Sequence, residues 1–242
     1  MTALLRLLTG RLSVAAAILL ALGASTVVGA ARQQLPTGAR ITDPSPTATL
    51  PEDQKAKFLA WYEAQPRVNV PIDSDGAKLL IVEFSDYQCS FCRQAYHVYL
   101  PVIARHVATG QVKFVMKHFP LERECNAGMQ SDLHPSACEA AAAVVMAQMK
   151  GKADKLEAWL FANQASLSRE TIKKAAADIS GVTDFDAQYA RALTLVKTDA
   201  GLGGMLGTRS TPTLIFNGRV VGGLMSAAQL ETAIQHELKR SK

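Results

Sequence analysis

The chain has no run of basic residues, no internal repeat and no long low-complexity tract, and aromatics make up only 6% of its 242 positions. Its formal charge of +5 comes from Lys and Arg scattered along the sequence, and part of it, Arg6 and Arg11, sits at the extreme N-terminus. So mild and dispersed a balance makes no basic face for a phosphate backbone, which excludes nucleic acid as the expected partner. Cysteine is scarce too: Cys89, Cys92, Cys125 and Cys138, with none left over if they pair two by two. Beyond the N-terminal segment, no apolar run is long enough to span a membrane.

What is present is enough apolar residue, 48%, for one well-cored domain with an appendage. Arg6 and Arg11 precede an apolar run from Leu12 to Val28, followed by Gly29, Ala30 and Ala31. A positive flank, an apolar core and small residues at the end are the marks of a secretory signal, with cleavage expected after Ala30. An uncleaved anchor is the alternative, because the run approaches the roughly 17-residue minimum for a spanning helix. Gly23, Ser25 and Thr26 interrupt it and favour cleavage. No cysteine follows the run, which argues against a lipoprotein anchor. Either way the body of the protein is expected in the periplasm or another extracytoplasmic space, where disulfides persist.

Residues 31–52, with Pro36, Pro44, Pro46 and Pro51, read as a flexible linker, and the folded domain is expected over 53–242. Lys55 to Ala64 predicts a short helix whose Phe58, Leu59, Trp61 and Tyr62 must dock on something, ended by Pro66. Leu79 to Phe84 is a nearly continuous apolar run suited to a central strand buried on both faces, except for Glu83. A helix follows from Cys89 to about Val107, with Pro101 inside it, and then a second strand from Gln111 to Phe119. The middle, about 121–206, reads as a helical insertion: Ala137 to Lys150, Lys155 to Ala162, a helix capped by Ser168, and one begun by a capping box of Thr183 and Asp186. Thr213 to Phe216 and Arg219 to Val221 flank Asn217-Gly218, a strong hairpin signal. Ser226 and Gln229 cap a last helix. This order predicts an α/β sheet with a helical insertion.

The chemistry concentrates in Cys89-Ser90-Phe91-Cys92. A Cys-x-x-Cys pair after a buried strand and at a helix start places the first sulfur where unpaired N–H groups and a partial positive charge stabilise a thiolate. Cys89 is therefore expected as the nucleophile, exposed at the helix tip, and Cys92 as the shielded resolving thiol. Ser90 and Phe91 bring no charge and no proline, so they give little leverage on the redox potential. An inert disulfide is one alternative. A zinc site is another, and it would recruit Cys125, Cys138 and His134, whose spacing does not make the compact second knuckle of common zinc sites.

Val82-Glu83-Phe84-Ser85-Asp86-Tyr87-Gln88-Cys89-Ser90-Phe91-Cys92, with Ser210-Thr211-Pro212-Thr213 ahead of a strand and hairpin, resembles the DsbA-like branch of the thioredoxin superfamily. Within that branch, Trp61-Tyr62-Glu63-Ala64-Gln65-Pro66 and His134-Pro135-Ser136-Ala137-Cys138 are most similar to soluble relatives of domains fused to vitamin K epoxide reductase-like membrane proteins. The resemblance implies a thioredoxin fold with an inserted helical subdomain and a protein thiol–disulfide oxidoreductase needing no cofactor or metal. It implies that Pro212 is a cis-proline facing the dithiol, with Thr211 beside it to pair with an extended substrate chain. It makes Glu83 a proton-transfer partner of the buried thiol, although Lys113 or Lys117 on the neighbouring strand could instead neutralise that carboxylate. His97, on the dithiol helix, reads as a surface or packed residue.

Cys125 and Cys138 are expected to form a structural bridge clamping the start of the insertion, with a second, relaying redox pair as the alternative. The partners implied are client proteins with cysteines and a separate membrane reoxidant, quinone-linked and of the vitamin K epoxide reductase-like type. The direction of electron flow is open at this point: oxidase is favoured by resemblance, with a reductase, an isomerase or a non-catalytic scaffold as alternatives.

Overall fold

The computed structural model describes residues 49–241. The signal or anchor expected for 1–30, and all but the last residues of the expected linker, lie outside them. Helix α1 (Glu52–Glu63) is followed by β1 (Leu79–Ser85), α2 (Ser90–Ala108) and β2 (Val112–His118). The insertion contributes α3 (Ala137–Met149), α4 (Ala153–Ala162), α5 (Arg169–Ser180) and α6 (Phe185–Met205). The chain then returns to the sheet through β3 (Thr213–Phe216), β4 (Arg219–Gly222) and α7 (Ala227–Arg240).

The four strands lie in the order β2-β1-β3-β4, with β1 parallel to β2 and antiparallel to β3. All seven residues of β1 are buried, as the apolar run demands of a strand covered on both faces. Alternation divides them. Leu79 and Ile81 pack with Phe58, Tyr62, Tyr99 and Ile234, while Leu80, Val82 and Phe84 pack with Phe119, Ala200 and Ile215. The insertion has its own core, built on the alanine- and valine-rich α3, and that core reaches Cys89 and Cys92. The dithiol therefore sits where the sheet domain meets the helical subdomain.

Helix α1 docks through a buried charged cluster. Tyr62 donates its hydroxyl to Glu237 of α7 at 3.0 Å, and the Arg219 guanidinium lies 4.8 Å from the Tyr62 ring and 3.4 Å from the same carboxylate. The hairpin turn matches its Asn-Gly signal, with positive φ at Asn217 (43°) and Gly218 (91°). The Asn217 side chain also accepts from the Leu80 N–H (2.9 Å) and donates to the Lys78 carbonyl (3.0 Å), binding the turn to β1.

Ser226 and Gln229 form a reciprocal capping box, and at Ser168 the reciprocal partner is Thr171. The box expected of Thr183 and Asp186 is absent. Asp184 is the N-cap residue, and the Asp186 carboxylate instead binds Arg169 and Lys173 of α5. Pro101 lies inside α2, and the helix continues through it to Ala108.

Candidate active site

Strand β1 ends at Ser85 and the chain turns through Asp86, Tyr87 and Gln88 onto α2. Asp86 makes that turn: its carboxylate accepts the Gln88 N–H (2.7 Å) and its carbonyl accepts the Cys89 N–H (3.1 Å). Cys89 is the N-cap residue of α2, in extended conformation, and Cys92 lies one turn in. Both are free thiols.

Cys89 is 5% exposed, not the open helix tip that position alone suggests. The loop before β3 covers it, with the Thr211 carbonyl 3.4 Å from the sulfur. From the insertion, Gln164 donates its side-chain amide to the carbonyls of Tyr87 (2.7 Å) and Cys89 (2.9 Å). The Cys89 thiol is drawn down to about 6, chiefly by a hydrogen bond from the Cys92 thiol. The Thr211 side chain and the N–H groups of Cys92 and Phe91 add to this, and burial opposes it. Cys92, fully buried, is pushed well above the usual thiol range by burial and then by the neighbouring Cys89. The two sulfurs are thus split into a ready thiolate and a protonated reserve.

Glu83 is buried on β1, and burial raises its carboxyl to about 7. Neither lysine neutralises it. Register sets Met116 opposite Glu83, while Lys113 and Lys117 align with Leu80 and Phe84 on the other face. Lys113 binds Asp75 and Lys117 binds Asp199 instead. The Ser85 hydroxyl is buried without a hydrogen bond of normal geometry, and it favours the charged forms of both Glu83 and Cys92. Ser85 therefore lies close to both groups, a link that the sequence reading did not single out.

The Thr211–Pro212 peptide bond is cis, and the Pro212 carbonyl accepts the Gly223 N–H (2.8 Å). Thr211, the residue before the cis-proline, thus meets Cys89 across 122 residues of chain. His97 is exposed and lies against Tyr96, outside the site. Glu157 of α4 was also missed: it is buried, is raised to about 7 by burial, and feels the charges of Asp154 and Glu83. No motif marks it; on α4 it looks like an ordinary surface acid.

Cys125 and Cys138 form a disulfide. That removes both sulfurs from the zinc alternative, and His134 is engaged elsewhere, with its Nδ1 2.8 Å from Asp86. Glu122, Glu124 and Cys138 bring donor atoms within 4.8 Å of one another, but the Cys138 sulfur is already bonded to Cys125.

This arrangement has a family. A model of the thioredoxin family matches residues 72–236. The chain belongs to the thioredoxin family. Its sheet with a helical insertion is the DsbA-like form of the fold. A periplasmic thioredoxin-like protein from Salmonella enterica serovar Typhimurium superposes with a TM-score of 0.52 at 20% identity, over 79% of this chain and 99% of that one. BdbD from Bacillus subtilis gives 0.54 at 20% identity over 73% and 94%. α-DsbA1 from Wolbachia pipientis gives 0.56 at 16% identity over 74% and 96%.

In sequence the chain is 30% identical over 164 residues to the Na(+)/H(+) antiporter NhaA 1 of Mycobacterium sp. (strain KMS). That match covers 66% of this chain but only 25% of the antiporter, so the chain spans about a quarter of such relatives. Among the described residues no helix is long and apolar enough to cross a membrane.

Proposed function

We propose that this protein is an exported oxidase of protein thiols, which transfers a disulfide from Cys89–Cys92 to client proteins. The single observation that carries the direction is the split between the sulfurs, with the Cys89 thiolate stabilised and the Cys92 thiol protonated. Stabilising the thiolate favours the reduced dithiol, and a favoured reduced state makes the disulfide a stronger oxidant.

A client thiolate attacks the Cys89 sulfur, the Cys89–Cys92 bond breaks, and Cys92 leaves with the electron pair. Glu83, protonated when its pKa is near 7, supplies the proton to Cys92, with the Ser85 hydroxyl beside both. A second client thiolate then attacks the client sulfur of the mixed disulfide and releases Cys89 as thiolate. Two electrons have passed from client to protein. In the reverse direction Glu83 accepts the Cys92 proton as that thiol attacks. Thr211 borders the sulfur where an extended client chain would lie, and exposed apolar side chains stand beside it in sequence: Phe91 between the two cysteines and Leu224 next to Gly223, which binds the Pro212 carbonyl.

Extracytoplasmic placement is supported by the Cys125–Cys138 disulfide and by the periplasmic description of the Salmonella relative. Resetting the dithiol needs an acceptor of two electrons, and a separate membrane protein of the quinone-linked, vitamin K epoxide reductase-like type fits that need.

The test is the reduction potential of Cys89–Cys92 in glutathione buffers, together with oxidation of a reduced, unfolded test protein. A potential well above the thioredoxin value of about −270 mV is expected, with activity abolished in Cys89→Ser. A potential at or below that value would establish a reductase, and full activity in Cys89→Ser would overturn the reading of Cys89 as the reacting sulfur.

A further inference from the structure

His134 has no part in the chemistry described so far, yet it is fastened to the turn that carries the dithiol. It lies between β2 and α3, in the loop closed by the Cys125–Cys138 disulfide. The Leu133 and His134 N–H groups both donate to the Leu121 carbonyl (3.0 and 3.3 Å), and the Ser136 N–H donates to the Gln88 side chain (2.7 Å). The imidazole Nδ1 stands 2.8 Å from the Asp86 carboxylate. That carboxylate is fully buried and also accepts the N–H groups of Gln88 and Leu121, both at 2.7 Å. The Asp86 peptide touches both cysteines: its carbonyl accepts the Cys89 N–H (3.1 Å) and its N–H donates to the Cys92 sulfur (3.4 Å).

A buried carboxylate so close to the dithiol would by itself oppose a thiolate. A positive imidazole bound to it removes that opposition and adds an attraction.

We propose that His134, oriented by Asp86, is the positively charged partner of the Cys89 thiolate and a positioning residue that makes the dithiol more oxidising. The charges facing His134 support this. Asp86 chiefly, then the Cys89 thiolate and Glu122, raise the imidazole above its ordinary value, while burial opposes them. Interaction between two titrating groups is mutual, so a thiolate that favours the imidazolium is favoured by it. The effect exists only in the reduced protein, because a disulfide carries no charge at Cys89. His134 therefore stabilises the reduced form selectively.

The proposal rests on Cys89 as the nucleophile, but its test reads titration instead of client turnover, so the two readings fail separately. In His134→Gln, which keeps an N–H for Asp86 without the charge, the ultraviolet titration of the Cys89 thiolate should move up by about half to one pH unit. The equilibrium with glutathione should move three- to tenfold toward the oxidised protein. An unchanged Cys89 titration in a folded variant overturns the proposal. In the unaltered protein, NMR titration of His134 should give a higher midpoint with the dithiol reduced than with it oxidised. Equal midpoints overturn the proposal even if the variant does not fold.

Discussion

Glu83 occupies a strand in which every residue is buried, and neither lysine on the neighbouring strand reaches it. Burial raises its carboxyl from 4.5 to about 7, so between those values the folded chain holds a proton that the unfolded chain releases. The resulting stability is complete below about pH 4.5 and is lost as pH rises through about 7. Glu122 and Glu157 act in the same direction. Glu83→Gln should therefore be more stable than the parent above pH 7, by up to about 3 kcal/mol, with the gap closing toward pH 4.5. The same variant should slow the Cys92-dependent step on the order of 100-fold, because no proton is exchanged at that position. Denaturant unfolding across pH checks the first effect and stopped-flow thiol exchange the second. Equal stability at all pH values would show that Glu83 has a partner able to hold its charge.

At the scale of elements, α6 shows why a helix from the insertion can lie against the sheet. Gly203 faces Phe119 and Phe84, and a methyl there would come within 2.6 Å and 2.9 Å of their rings. Gly201 on the same helix meets nothing within 4 Å. Gly201→Ala should therefore stabilise the protein by up to about 1 kcal/mol through helix propensity. Gly203→Ala should lose about 1–2 kcal/mol, because overpacking outweighs the same gain. Urea midpoints with unchanged m-values would check the pair. These two glycines look alike in sequence, whereas the caps do not. Ser226 with Gln229 was legible because a capping box is local chemistry. The Thr183–Asp186 box does not form, because Arg169 and Lys173 of α5, distant in sequence, hold the Asp186 carboxylate.

For the whole molecule, the insertion and the sheet domain bring separate cores to the dithiol. The Cys125–Cys138 bridge closes the loop that leads from β2 into the insertion, 13 residues apart. Replacing both by Ala should lower unfolding stability by about 3 kcal/mol in the chain-entropy account. If the bridge is structural, it should also stay oxidised while graded reductant opens Cys89–Cys92. Alkylation after such a titration reads this directly, and simultaneous opening would favour a relay.

Sequence alone determined the strand–turn–helix that carries Cys89 and Cys92, because strand burial, turn chemistry and helix starts are written in neighbouring residues. It also determined the Asn217-Gly218 hairpin and, by resemblance, the thioredoxin fold with its insertion. Tertiary structure decided what surrounds the sulfurs. Cys89 is covered, not exposed, because the loop at Thr211 and Gln164 of the insertion close over it. Lys113 and Lys117 miss Glu83 because strand alternation turns them to the other face. His134 reaches Asp86 across 48 residues of sequence. Such long-range electrostatic neighbours leave no local pattern, since each depends on how separate elements pack rather than on the residues beside it.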